Sequence, residues 1–402
     1  MVRLIKENSM AYVLTFESLK LDLYGAFVCA KQHKANRSYV RVFESHLKRN
    51  IDSLARDLFN KTYQPEPSSC FIVERPKKRE VFAAQFRDRI VHHLYYNYTH
   101  KLFERTFIQD SYSCIPERGT HYGIDRLEKH IKQESHNYQR ECFVLKLDKR
   151  GYFMHINRNK LLEISLNSLE KMRFHKVQNG KKQTWDDIID FDFIKWLTKE
   201  IVLLNPKDNC NIVGNLSSWD GLDKSKSLFH TPDGCGIPIG NLTSQLFSNV
   251  YLNVFDQFMK RELKCKHYGR YVDDSYVVSC DKKWLMSIVP KVREFLKSEL
   301  GLDLHMGKLQ VVSSKIGVEF LGSFIRPYRK YISNKTLART RKNMQKLNHA
   351  DGQAVFRSVN SFIGTLVHCK TYNIRKRLFV RKEYLKHGYF DKNITKMYRL
   401  NS

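Results

Sequence analysis

The chain has 402 residues, of which 42% are hydrophobic, and its 70 Lys or Arg against 41 Asp or Glu leave a formal charge of +29. That much apolar material excludes wholesale disorder, and no apolar run of about 18 uncharged residues is present to form a transmembrane helix. Nine scattered cysteines without C-x₂-C spacing, and an N-terminus without an apolar core, predict a soluble, cytoplasmic chain with no membrane partner.

Residues 14 to 60 read as helices, because Leu47, Ile51, Leu54 and Leu58 recur at three- and four-residue spacing. Pro65-Glu66-Pro67 breaks that pattern, and Cys70–Val73 is a short strand before a basic turn, Arg75–Arg79. Helical patterning returns from Phe86 to Phe103. Cys142–Leu147 is an apolar run of strand length ending at Asp148. The polar stretch 205–233 reads as a long loop or insertion, followed by the turn-rich Gly234–Gly240 and a helix from Thr243 to about Leu263. His267–Val272 and Ser275–Ser279 read as a β-hairpin with Asp273 and Asp274 at its tip. Val318–Gly322 is the last strand expected. Mixed elements of this kind predict an α+β architecture.

Charge is uneven. From Arg326 to Ser402 there are 19 Lys or Arg and three acids, a net of +16, with aromatic residues interleaved. A lobe of that kind suits a polyanion, bound through counterion release with little sequence preference.

Asp273 and Asp274 alone are compatible with an ordinary polar turn. Asp148 adds a third carboxylate, and if its strand neighbours the hairpin the three form a hard, oxygen-lined site suited to Mg²⁺. Two such ions about 3.5 to 4 Å apart would serve an in-line displacement on a nucleotide. His92-His93 has no third ligand at metal spacing and reads as ordinary helix packing.

Four blocks in order carry a family resemblance. Tyr271-Val272-Asp273-Asp274 resembles the Y-x-D-D motif of reverse transcriptases, and Val144–Asp148 followed by Tyr152-Phe153 resembles their first catalytic motif. Gly236–Gln245 resembles the intervening substrate-binding motif, and Phe320-Leu321-Gly322 the primer grip. Pro238-Ile239-Gly240, where most bacterial members carry Pro-Gln-Gly, is similar to the reverse transcriptases of diversity-generating retroelements.

The resemblance implies a right-hand polymerase fold whose antiparallel palm sheet carries the hairpin. An N-terminal helical extension would span 1–64, fingers and palm 65–325 with an insertion at about 205–233, and a basic helical thumb 326–402. It implies Asp148, Asp273 and Asp274 as catalytic residues, holding two Mg²⁺ (or Mn²⁺) ions with the Lys149 carbonyl as a further oxygen. Lys77 and Arg79 would hold the incoming triphosphate, with Lys78 able to exchange roles with Lys77. Phe153 would be the steric gate against a 2′-hydroxyl, with Ile239, Gly240 and Gln245 beside the nucleotide and Lys308 near the pyrophosphate. Asp88-Arg89 reads as a structural ion pair, and Arg118-Gly119 as the turn before the palm.

An aliphatic Ile239 makes no hydrogen bond to the nucleotide, so discrimination should weaken. The resemblance assigns errors opposite template adenines to Arg79 and Ile239. The expected activity is copying of a retroelement template RNA into mutagenised cDNA, with dNTPs, template RNA, DNA and a small accessory variability protein as partners. The alternatives are a retron-like or defence-associated reverse transcriptase, or a non-catalytic RNA-binding scaffold on a polymerase fold.

Overall fold

In the computed structural model, which describes residues 11–74, 77–177, 183–347 and 351–400, helix α1 (Phe16–Lys31) opens on a capping box. The Ser18 amide reaches the Thr15 hydroxyl while the Thr15 amide reaches the Ser18 hydroxyl, satisfying donors that a helix start otherwise leaves unpaired. Helices α2 (Ser38–Ser45) and α3 (Leu47–Phe59) follow, and Ile51, Leu54 and Leu58 are all buried, as their spacing predicts. Strands β1 (Ser68–Val73) and β2 (Arg79–Ala83) lead to α4 (Phe86–Glu104). Next come α5 (Thr120–Glu134), β3 (Phe143–Leu147), the short α6 (Tyr152–His155), α7 (Arg158–Arg173) and α8 (Phe191–Leu203).

Strand β4 (Cys210–Ile212) precedes α9 (Leu242–Gln257), which continues through a π-helical turn to Glu262. Strands β5 (His267–Tyr271) and β6 (Asp274–Ser279) are followed by α10 (Lys282–Leu300). The rest comprises β7 (Gln310–Ser313), β8 (Val318–Phe320), β9 (Ser323–Arg326), β10 (Arg329–Ile332), α11 (Asn334–Gln345), α12 (Gly352–Leu366), α13 (Tyr372–Phe379), α14 (Lys382–Leu385), β11 (Gly388–Phe390) and β12 (Met397–Arg399).

The chain divides into two compact units, each built from three segments. The first comprises Met1–Cys114, Lys149–Lys264 and Pro290–His305; the second comprises Ile115–Asp148, Cys265–Val289 and Met306–Ser402. In the first, α9 is buried along most of its length and packs on α4 and α7. Its sheet has β1 at the centre, antiparallel to β2 and parallel to β4. Strand β4 comes from the polar 205–233 stretch. That stretch is more ordered than a loop: it adds a strand and three 3₁₀ turns, and it buries Ser227, Leu228 and Thr231. Backbone pairing of β4 and the hydrogen bonds of buried Glu80 to Trp219, Ser227 and Leu228, which a polar composition does not reveal, hold it.

In the second unit, β5, β6, β3 and β7 form an antiparallel sheet in that order, with α5 packed on β5 and β6. Strands β8, β9 and β10 make a small meander. The C-terminal helices close on a core that includes Met344, Val355, Val359, Ile363, Leu366, Phe379 and Met397. Four strands follow Phe320 where the sequence suggested none; each has only three or four residues, too few for alternation to be read. Among the described residues no helix is long and apolar enough to cross a membrane, and none of the nine cysteines forms a disulfide.

Candidate active site

The β5–β6 register places Tyr271 opposite Asp274. The two-residue turn is therefore Val272-Asp273, and Asp274 is the first residue of β6, one place along from the tip the sequence suggested. Val272 has φ +53°, a left-handed conformation costly for a β-branched residue. Its carbonyl accepts a hydrogen bond of 3.0 Å from the guanidinium of Arg270, which has no exposed surface. A buried cation is tolerated when its donors are used, and here one of them fastens the strained turn.

Strand β3 lies beside β6 with Leu147 opposite Ser275. Asp148, the next residue, comes to the same end of the sheet as Asp274. The Lys308 ammonium sits 2.5 Å from Asp148 Oδ2. Its proton affinity is raised, first by that bond and then by the charges of Asp148, Asp273 and Asp274. All three carboxylates thus act on one cation, and hard oxygen donors of this kind suit Mg²⁺ in charge and chemistry. Among the described residues no three His, Cys, Asp or Glu side chains stand close enough together to hold an ion as they are. Lys149 is buried, with its ammonium 4.7 Å from the Phe255 ring centroid.

Two residues expected to contact the nucleotide come together in the first unit. The Phe82 amide donates to the Ile239 carbonyl at 2.9 Å, and the Ile237 amide donates to the Phe153 carbonyl at 3.0 Å. Phe153 and Ile239 both pack against a cluster of Cys70, Phe82, Met154 and Leu228. Gly240 has φ +137°, and a Cβ there would lie 2.7 Å from the Phe82 carbonyl oxygen, so only glycine lets the loop approach β2 this closely. Arg79 opens β2 with Lys77 just before it, and both are exposed, as is Gln245 in the first turn of α9. The Lys78 ammonium donates to the Asp220 carbonyl at 2.6 Å.

Phe320 pairs with Ser323, leaving Leu321-Gly322 as a tight turn with φ +48° and +83°. The Gly322 carbonyl accepts from the Ser333 amide at 2.9 Å, and the Phe320 ring meets Tyr276 of β6 edge-on at 5.2 Å. Asp88 does not pair with Arg89. It accepts from Tyr63, the Glu66 amide and Arg87, while Arg89 reaches Ala84 and Tyr39. Burial pushes the Asp88 carboxyl up to about 6. Buried His92 bonds Thr243 at 2.9 Å, and burial lowers it to about 4, in keeping with a packing role.

Sequence reasoning missed two buried charges that organise the loops. Glu80 is 1% exposed and accepts from Trp219 Nε1, Ser227 Oγ and the Leu228 amide, at 2.8, 2.8 and 2.5 Å. Arg158 reaches Asn205 Oδ1 and the carbonyls of Cys235 and Gly236. The only local signal for Glu80 is a charge at an inward position of a strand.

Residues 75–325, more than half of the chain, match the family described as reverse transcriptase (RNA-dependent DNA polymerase). Among solved structures, telomerase from Candida albicans in complex with a TWJ fragment of telomeric RNA is similar at 11% identity and a TM-score of 0.47, covering 83% of this chain and 58% of that one. Apo telomerase from Candida tropicalis, truncated from its C-terminal domain, is similar at 13% identity and 0.45, covering 72% and 60%. The chain thus spans less than two thirds of the length of these structures. No curated protein matches it significantly. On the family match, which takes in more than half of its length, the chain belongs to the reverse transcriptase family, the RNA-dependent DNA polymerases.

Proposed function

We propose that the chain is an RNA-directed DNA polymerase of the diversity-generating retroelement type, copying a template RNA into adenine-mutagenised cDNA. The observation that carries the polymerase reading is the arrival of Asp148 and of the Asp273-Asp274 pair at one end of the β3–β6 ladder, with Lys308 on Asp148. Asp148 and Asp273 would hold two Mg²⁺ ions, with Asp274 and the Lys149 carbonyl beside them. Bound there, the ions supply charge stabilisation for the attacking 3′-hydroxyl and the leaving pyrophosphate.

The chain's own residues do the rest. Lys77 and Arg79 bind the triphosphate, the Phe153 ring excludes a 2′-hydroxyl, and Gly240 and Gln245 border the nucleotide. Lys308 is assigned to the pyrophosphate side, and the backbone at Leu321-Gly322 to the primer end. The mutagenic subtype rests on Ile239, whose side chain offers no hydrogen bond to hold the nucleotide. Residues 65–325 are assigned to fingers and palm, 1–64 to an extension and 326–402 to a thumb whose +16 charge suits template RNA and cDNA. A small accessory protein completes the reading.

The test is primer extension on an adenine-rich RNA template with Mg²⁺ and dNTPs, with product sequencing and an Asp273→Asn/Asp274→Asn control. Synthesis with errors concentrated at adenines, falling by roughly 10³-fold or more in the control, is expected. Faithful synthesis would remove the mutagenic subtype and favour a retron-like or defence enzyme. Silence with cognate RNA and accessory protein present would favour a scaffold.

A further inference from the structure

The 205–233 segment is held against the parts of the first unit assigned to the incoming nucleotide. Strand β4 extends the sheet beside β1. Trp219 and Leu228 join the cluster on which Phe153 and Ile239 pack. Leu228 Cδ1 fills the space where a Cβ on Gly236 would stand, at 2.6 Å, and the Ser225 carbonyl lies 3.1 Å from that position on Gly151. One buried carboxylate secures the arrangement. Glu80 Oε2 accepts from both Trp219 Nε1 and Ser227 Oγ, while Oε1 accepts from the Leu228 amide. Glu80 and Arg79 are neighbours in β2, so adjacent residues of one strand are assigned to the triphosphate and to this segment. Partly buried Trp219 presents a large rigid ring and a single donor, and that donor is used by Glu80.

We propose that Glu80 and Trp219 are positioning residues for nucleotide selection: Glu80 fixes the indole, and the indole backs the cluster that orients the Phe153 gate and Ile239. This inference rests on the polymerase reading and deepens it by assigning the 205–233 segment to sugar selectivity. A gate excludes a hydroxyl only while its ring cannot retreat, and close packing behind a ring supplies that resistance. Loosening the support should admit ribonucleotides without removing any group that touches the reacting atoms.

The experiment measures kcat and KM for dGTP and GTP opposite template cytosine with the full chain, for wild type, Trp219→Phe, Glu80→Gln and the double variant. Each single variant is expected to reduce the preference for dGTP over GTP by about tenfold, and the double variant by less than the product of the two, since both weaken the Glu80–Trp219 bond. Melting temperatures are taken in parallel. A Trp219→Phe enzyme that keeps the wild-type preference overturns the inference even if it melts earlier, because a merely structural role lowers stability without moving the sugar ratio. Should Glu80→Gln fail to fold, Trp219→Phe decides alone. A wild type that incorporates neither nucleotide defeats the polymerase reading and this inference with it; incorporation with an unmoved ratio in the variants defeats the inference alone.

Discussion

The carboxylate hairpin and the cluster that holds Phe153 and Ile239 are built in different ways. In the second unit, backbone ladders position the groups: the registers of β5, β6 and β3 bring Asp274 and Asp148 to one sheet end. In the first, loops converge because buried charged side chains hold them, Glu80 across 139 to 148 residues and Arg158 across 47 to 78. A ladder spreads its positioning over many weak bonds, whereas a buried tie concentrates it in one residue. The two regions should therefore differ in how much a single substitution disturbs them.

Arg158→Met should show the largest effect. It removes a guanidinium shared by Asn205 and two carbonyls of the Gly234–Gly240 loop, and buried acceptors left unmatched cost about 3 kcal/mol or more in stability. Urea unfolding measures this; a loss under about 1 kcal/mol would mean the loop is held by its backbone bonds instead.

The next effect is a pH dependence in the same unit. Asp88 holds its proton up to about 6 when folded, against 3.8 ordinarily. Between those values the native state keeps a proton that the unfolded chain releases. The contribution of Asp88 is therefore fully present below about pH 4 and declines until about pH 6. Relative to Asp88→Asn, wild-type stability should fall by roughly 2 to 3 kcal/mol from pH 4 to pH 7. A difference that stays flat or rises would show that the three donors to Asp88 outweigh its desolvation.

Lys308→Met sharpens the contrast from the other side. The Lys308 side chain is 62% exposed and touches Asp148 at the end of a ladder, so its loss should change stability by no more than about 1 kcal/mol. A drop as large as that of Arg158→Met would place a needed tie within the hairpin region as well, and the comparison would fail.

Much of the hairpin was legible in the sequence because its information is local. The apolar run ending at Asp148, the paired runs around Asp273-Asp274 and the Phe320-Leu321-Gly322 block are contiguous. The one-residue offset of the turn was not legible, since Val272 occupies a position that normally asks for glycine. It is held there by the Arg270 side chain from within the sheet. The ion pair read for Asp88-Arg89 also failed, because Asp88 is taken up by Tyr63, the Glu66 amide and its other neighbour, Arg87, while Arg89 reaches Ala84 and Tyr39.

By itself, then, the sequence determined the family and the basic C-terminal region, properties of short motifs and composition. Tertiary structure alone decided that the polar 205–233 stretch is structured, that Glu80 and Arg158 are buried organisers, and that Phe153 and Ile239 share one cluster. The physical reason is range. Strand and turn preferences act over a few residues and are written in the local pattern, whereas a buried hydrogen bond depends on partners scores of residues away that no local pattern identifies.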